Sequence, residues 1–221
     1  SIGSVAADLS GMAVADRIRL ALESDVSCPD PQAAGQMQQA IREIMSARDT
    51  LGGVIEIAAL GLPPGLGSFM QWDRRLEARI GAAILSVQAI KGVEFGPAFE
   101  NARLPGTLAH DPIVLDGDQL TRPTNRSGGL EGGVTTGQPL LVRAAMKPIA
   151  TTLTPQQSVN LSAKSTEATN YERSDFCPVP RAVVILETMI AFVLADTLLE
   201  KLGGDSLAEM RPRFNDLRQM R

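Results

Sequence analysis

The sequence predicts an α+β fold, and three stretches carry that expectation. Leu76, Ile80, Ile84 and Val87 recur at intervals of three and four, which places them on one face of a helix. Leu51 to Leu62 runs through Gly52, Gly53, Val54, Ile55, Ile57 and Leu60 up to Pro63-Pro64-Gly65, an apolar run between breakers that suits a strand. From Ala182 to Leu199 the chain is apolar nearly all round, as in a helix buried on more than one face. Elements of both kinds in one chain need to bury their apolar faces against each other in layers.

Taken in order, Asp30-Pro31 offers an N-cap followed by a proline at the first helical position, so a helix is expected to reach Ala47. The strand of Leu51 to Leu62 follows, and the helix from Asp73 leads into Gln88-Ala89-Ile90-Lys91-Gly92. Gly96 to Gly137 is rich in Gly, Pro, Asn, Asp and Thr, a long, weakly patterned stretch read as ligand-facing loops. Pro139 to Met146 is a second strand, and Ser158 to Tyr171 carries the signals of a hairpin. A helix starts near Val179 or Pro180, with Val184, Leu186, Ile190 and Leu194 expected in the core. A membrane span of this length is the competing reading, but Glu187 near its centre is costly in lipid. Gly203-Gly204 stops the helix, and Asp205 or Ser206 caps another.

A hydrophobic share of 44% over 221 residues supports a sizeable core, and one compact domain over residues 1–221 is expected. The net charge of −4 gives no general attraction to nucleic acid or to anionic membrane. The single Trp72 and Tyr171 cannot form a series of base-stacking platforms, so no nucleic-acid or membrane partner is expected. Cys28 and Cys177 lack metal-ligand or disulfide-scaffold spacing, which points to free thiols and a cytoplasmic location. The first ten residues lack the basic and apolar regions of a signal peptide. The chain opens at Ser1 without an initiator methionine, and the expectation is a sequence that starts partway through a longer protein.

No Walker A loop, GxSxG, HExxH or dinucleotide fingerprint is present. Three weaker signals remain. Asn125 to Gly133 holds four glycines, which suits either a backbone cradle for phosphate or a flexible surface turn. Lys147-Pro148-Ile149-Ala150-Thr151 presents a cation, a stiff bend and a hydroxyl at a strand end, suited to phosphate or flavin and equally to a solvated end. Arg173-Ser174-Asp175 stands at the border of the apolar helix, either as a structural Arg–Asp pair or as a carboxylate set for proton transfer. His110, the only histidine, reads as a loop residue bonded to a neighbour.

In order and wording these segments resemble chorismate synthase. The resemblance rests on D-T-L-G-G-V at 49–54, L-P-P-G-L-G-S-F at 62–69, Q-A-I-K-G-V-E-F-G at 88–96 and N-R-S-G-G-L-E-G-G-V-T-T-G-Q-P at 125–139. It continues through K-P-I-A-T at 147–151, R-S-D-F-C-P-V-P at 173–180 and G-G-D-S at 203–206. Thr136 stands where the family often has Asn, and Pro178 and Arg181 replace small residues. The resemblance implies a β-α-β sandwich with a helical layer between antiparallel sheets, here truncated to about the last three fifths of the family's length, and a homotetramer.

It also implies a lyase of the shikimate pathway and aromatic amino acid biosynthesis that eliminates phosphate from 5-enolpyruvylshikimate-3-phosphate with reduced FMN. By the same resemblance Gln88 and Ala89 line the flavin, Gly132 approaches it, and Lys147, Pro148, Ile149, Ala150 and Thr151 hold it. Arg173 binds near flavin and substrate, and Asp175 is the proton-transfer residue near flavin N5; no metal is implied. The family's two catalytic histidines have no counterpart here, so this polypeptide alone is expected to turn over poorly. The rival reading is a flavin-binding or oligomer-forming remnant without turnover.

Overall fold

The computed structural model describes residues 1–219. In chain order its elements are α1 (Val14–Leu22), α2 (Pro31–Ser46), β1 (Gly53–Ala59), α3 (Leu76–Leu85), β2 (Ile90–Phe95), α4 (Ala98–Asn101) and α5 (Gly106–Ala109). They continue with β3 (Val114–Asp116), β4 (Gln119–Thr121), β5 (Leu130–Glu131), β6 (Val134–Thr135), β7 (Leu140–Met146), β8 (Gln157–Asn160), β9 (Ser165–Ala168), α6 (Val179–Leu202) and α7 (Leu207–Gln219). Strands β1, β7 and β2 form a three-stranded sheet in that order, and β3–β4, β5–β6 and β8–β9 are antiparallel hairpins. The fold is the α+β mixture expected. Its contacts group into two compact units, residues 1–55 with 145–184 and residues 56–144 with 185–221, so that β1, β7 and α6 each give residues to both.

In the first unit, Asp30 caps α2 by accepting from the backbone N–H groups of Gln32 (2.9 Å) and Ala33 (3.2 Å), with Pro31 opening the helix. This cap satisfies two donors that the first turn leaves without partners. Ala33 and Met37, four residues apart, are the buried positions of α2. Helix α1 buries no residue and has no side-chain cap. Hairpin β8–β9 pairs Gln157 with Ala168 through Asn160 with Ser165, on the stretch expected to form one.

In the second unit, α3 fully buries Leu76, Ile80 and Ile84, the predicted face, while Val87 lies beyond the helix end. On the sheet, β7 alternates with Leu140, Val142 and Ala144 inward, as a strand with one side in the core must. Arg79 of α3 donates to Thr197 of α6 at 2.9 Å and pairs with Asp196, and Arg74 pairs with Glu200. The stretch from Gly96 to Gly137, expected as loops, contains the one-turn helices α4 and α5 and two short hairpins. Gly203 and Gly204 end α6 with positive φ of 58° and 92°, and Ser206 caps α7, its Oγ accepting from Glu209 N at 3.3 Å and donating to Glu209 Oε1 at 3.1 Å.

Helix α6 corrects one expectation. Leu186, Ile190 and Leu194 are buried as predicted, but Val184 is 64% exposed. At about 100° per residue, Val184 sits about 200° from Leu186 and faces the other way. Ile185, Phe192 and Leu199 share that exposed side. A helix apolar on every face does not say which stripe the core will cover. By length and composition α6 is also long and apolar enough to cross a bilayer, and its buried stripe packs in the protein.

Candidate functional site

Three of the motif segments meet in the first unit, joined by two side-chain hydroxyls and one backbone N–H that donate to backbone carbonyls. Thr50 Oγ1 donates to the carbonyl of Ile149 at 2.6 Å, Leu51 N to the carbonyl of Phe176 at 2.8 Å, and Ser174 Oγ to the carbonyl of Thr151 at 2.9 Å. Gly52 is needed for this closeness, since a Cβ there would press on Lys147 carbonyl carbon and Pro148 N at 2.9 and 2.8 Å. The result brings Lys147–Thr151 together with Arg173–Asp175. Lys147, Pro148, Ala150 and Arg173 are exposed, and among the described residues Lys147 and Arg173 have no ion-pair partner. Asp175 does not pair with Arg173, the neighbour expected for a structural pair. Its Oδ2 accepts from Arg181 Nη1 at 2.8 Å instead, Arg181 standing in the first turn of α6. Beside it, burial pushes the Cys177 thiol above its ordinary value, and burial does the same to Cys28; both cysteines are free.

Three further motif segments, 62–69, 88–96 and 125–139, meet in the second unit. Thr135 donates from Oγ1 to the carbonyl of Pro63 at 2.6 Å and accepts from Leu66 N at 2.9 Å, while its own N–H donates to the carbonyl of Leu66. Gly96 N donates to the carbonyl of Leu141, whose N–H donates to the carbonyl of Gly128. The four glycines of residues 128–133 are not equivalent. A Cβ on Gly128 would collide with the Gly96 backbone, one on Gly129 would lie 2.5 Å from the Pro139 carbonyl, and one on Gly133 would meet Arg75 and Ser68. Gly132, at φ +63°, has open space where its Cβ would be. It forms the β5–β6 turn with Gly133, φ +96°, between the paired residues Glu131 and Val134.

Ala89 is one of four residues other than glycine with positive φ, at +68° among the described residues. The turn ends at Ile90 N, which donates to the carbonyl of Val87. Gln88 beside it is exposed. A strained backbone at an alanine persists only where its surroundings hold it, and such positions gather at ligand sites.

Sequence reasoning missed Asp111, which is 7% exposed and is the acceptor for the loop that follows it. Its Oδ1 accepts from Thr124 Oγ1 (2.6 Å) and Arg126 N (2.7 Å), and its Oδ2 from Ser127 N (2.8 Å). Burial alone would raise this carboxyl, but the hydrogen bonds from Thr124, Ser127 and Arg126 together outweigh it and hold the group below its ordinary value. The only signal was a run of donors, Thr124 to Ser127, that needs an acceptor somewhere. A concavity of about 370 Å³ lies here, lined in part by Asn101, His110, Asp111, Arg126, Ser127 and Glu131. None of the residues expected to hold flavin lines it.

The predicted flavin residues are thus divided, with Lys147–Thr151, Arg173 and Asp175 in the first unit and Gln88, Ala89 and Gly132 in the second. Among the described residues no group of three or more His, Cys, Asp or Glu could hold a metal ion.

The fold and these contacts define an α+β protein in which, within each unit, motif segments meet through glycine-shaped backbone. The family profile described as chorismate synthase matches residues 1–199. Chorismate synthase of Trichlorobacter lovleyi is 50% identical over 218 residues, 95% of this chain and 56% of that protein, and that of Geobacter metallireducens is 44% identical over 223 residues, 97% and 56%. A crystal structure of chorismate synthase matches with TM-score 0.82 at 39% identity, over 100% of this chain and 61% of the other. The chain belongs to the chorismate synthase family. It spans a little over half the length of these curated relatives.

Proposed function

We propose that the chain serves chorismate synthase chemistry, the trans-1,4 elimination of phosphate from 5-enolpyruvylshikimate-3-phosphate in aromatic amino acid biosynthesis, with FMN as cofactor. The observation that carries this is the joining of Lys147–Thr151 to Arg173–Asp175 through the Thr151–Ser174 and Thr50–Ile149 hydrogen bonds, which presents, on the same joined segments as one carboxylate, two exposed cations that have no ion-pair partner among the described residues. Such cations suit an anionic cofactor and a substrate carrying phosphate and carboxylates.

In this reading Lys147 and Arg173 hold negative charge on flavin and substrate, and Pro148 to Thr151 shape the strand end against the cofactor. Gly132 offers a backbone that a ligand can approach without meeting a side chain, and Gln88 and the strained Ala89 present a fixed turn to it. Asp175 would carry the proton beside the bound flavin; Arg181 occupies its Oδ2, and among the described residues Oδ1 has no hydrogen-bond partner and would do that work. The chemistry that reduced FMN would supply there, when bound, is transient electron donation to the elimination with no net oxidation. The free thiols fit a cytoplasmic enzyme, and the exposed Ile185, Phe192 and Leu199 of α6 fit an oligomer such as a tetramer.

The second reading, a flavin-binding or oligomer-forming polypeptide without turnover, is favoured by one observation. His110 is the only histidine and lies exposed at the end of α5. General acid and base groups contribute about 10²–10⁴-fold each, so 221 residues lacking the family's two histidines should turn over little.

The experiment is an FMN titration followed by anaerobic turnover with reduced FMN and 5-enolpyruvylshikimate-3-phosphate. Saturable FMN binding that weakens about tenfold or more in Lys147→Ala and in Arg173→Ala is the expected result, the size of a lost charge-assisted hydrogen bond. Binding unchanged in both variants overturns the site assignment. Turnover equal to that of a full-length relative overturns the second reading and makes His110→Ala the next variant.

A further inference from the structure

We propose that Asp111 and Arg122 are a positioning pair that sets the Gly132 hairpin, an inference that rests on the flavin reading above for its functional consequence. Neither residue belongs to the segments expected to touch cofactor. Their role follows from how the chain leaves and re-enters this part of the second unit.

After Asp111 the chain runs out into the exposed hairpin β3–β4, whose register pairs Val114 with Thr121, and it returns at Arg122. There Arg122 Nη1 donates to the carbonyl of Asp111 at 3.0 Å and closes the neck of the excursion. The same guanidinium grips Glu131 with two bonds, Nη1 to Oε1 at 3.0 Å and Nη2 to Oε2 at 2.9 Å. Glu131 immediately precedes the Gly132-Gly133 turn, so a fork with fixed geometry is clamped one residue from the open glycine. Arg122 is well covered, with 16% of its side chain exposed.

Asp111 orders the segment between these two points. Its two carboxylate oxygens take the backbone N–H groups of Arg126 and Ser127 separately, and Oδ1 also takes the Thr124 hydroxyl. Consecutive N–H groups aimed at one carboxylate fix the entry into residues 128–133. On the far side, Asn101 Nδ2 donates to the carbonyl of Arg126 at 2.7 Å and Asn125 Nδ2 to the carbonyl of Pro139 at 2.8 Å. The Gly133–Val134 side of the hairpin is held by Leu76 N, which donates to the carbonyl of Gly133 at 2.9 Å, and by the bridge of Gly67 to Val134, so the Asp111 and Arg122 anchors act on the other side, at the entry through Arg126 and Ser127 and at Glu131.

The chemistry selects the variants. Asparagine has one oxygen where aspartate has two, so Asp111→Asn cannot accept from both Arg126 N and Ser127 N and sets an NH₂ against one of them. Lysine keeps the charge of Arg122 but cannot form the two-pronged bond to Glu131, so Arg122→Lys tests the fork alone.

The experiment compares the 221-residue polypeptide with these two variants by amide hydrogen exchange, by FMN titration and by the visible circular dichroism of bound FMN. The expected result is exchange at residues 128–133 faster by about tenfold in Asp111→Asn, the size of one lost hydrogen bond to a charged group. Exchange in α3 and α6 should stay unchanged, FMN affinity should fall by a similar factor, and the flavin dichroism should alter in both variants. Wild-type exchange at residues 128–133 in both variants overturns the inference, as does a loss of protection spread equally over α3 and α6. If the wild type binds no FMN while the exchange response is as expected, the flavin reading fails and the positioning of the hairpin stands.

Discussion

Arg181 donates to Asp175 across 2.8 Å, and this pair, not Arg173 with Asp175, fixes the candidate proton-transfer carboxylate at the start of α6. The Arg181 side chain is 78% exposed, so water competes with the bond and salt screens it. Arg181→Ala should therefore change unfolding free energy by less than about 1 kcal/mol, measured by urea denaturation. A loss of several kcal/mol would show that the pair supports the unit rather than the side chain.

The two faces of α6 should separate cleanly under mutation. Leu186→Ala, at a fully buried position, should cost about 2–5 kcal/mol, since it removes apolar contact and leaves a cavity. Val184→Ala, at a position 64% exposed, should stay within about 0.5 kcal/mol in the same denaturation experiment. Equal costs would mean that both faces are covered in solution.

How far the sequence revealed this fold depends on how local each cause is. The α3 face and the Asp30 cap were legible because their signals lie within one turn or one helix period. The buried stripe of α6 was not, because apolar residues on every side leave the phase to tertiary packing. Asp111 was hidden for another reason: its partners, Thr124 to Ser127, lie 13 to 16 residues away across a hairpin, and nothing local marks an aspartate as their acceptor. The preference of Asp175 for Arg181 over Arg173 likewise depends on where the first turn of α6 places a side chain. The glycine motif could be read as a group, but only coordinates separate the packing glycines from Gly132.

That separation gives a third prediction. Gly129→Ala should destabilise the protein strongly, because its methyl would lie 2.5 Å from the Pro139 carbonyl in a backbone with φ +84°. Gly132→Ala meets no atom and should cost only the left-handed conformation, about 1–2 kcal/mol. Thermal unfolding of the two variants checks the order, and FMN titration of Gly132→Ala checks whether the added methyl obstructs cofactor.

Acid should release the Asp111 anchor. The ordinary carboxyl value is 3.8, and the folded value lies below it, so the stabilisation is complete above 3.8 and is lost as pH falls through the folded value. The amide resonances of Arg126 and Ser127 should titrate below pH 3.8 in the wild type and stay flat there in Asp111→Asn. A midpoint above 3.8 would show that burial outweighs the hydrogen bonds.

The thiols should be quiet in the native protein. Burial raises both Cys28 and Cys177, so at pH 7 little thiolate exists to react. A disulfide reagent should modify both much more slowly in buffer than in denaturant, with buried Cys28 the slower of the two. Rapid native labelling of Cys177 would place it in a more open or more positive setting.

The approach of Gly96 to Gly128 has a consequence for anyone redesigning this chain. A methyl on Gly96 would lie 2.6 Å from the Arg126 carbonyl and 2.7 Å from Gly128 N, and one on Gly128 would strike Gly96 in return. Because backbone meets backbone, no smaller neighbour can be chosen to make room, and a second substitution cannot rescue the first. Two positions 32 apart therefore act as a single constraint, and a library that varies either one is spent on chains in which β2 and the glycine segment can no longer close.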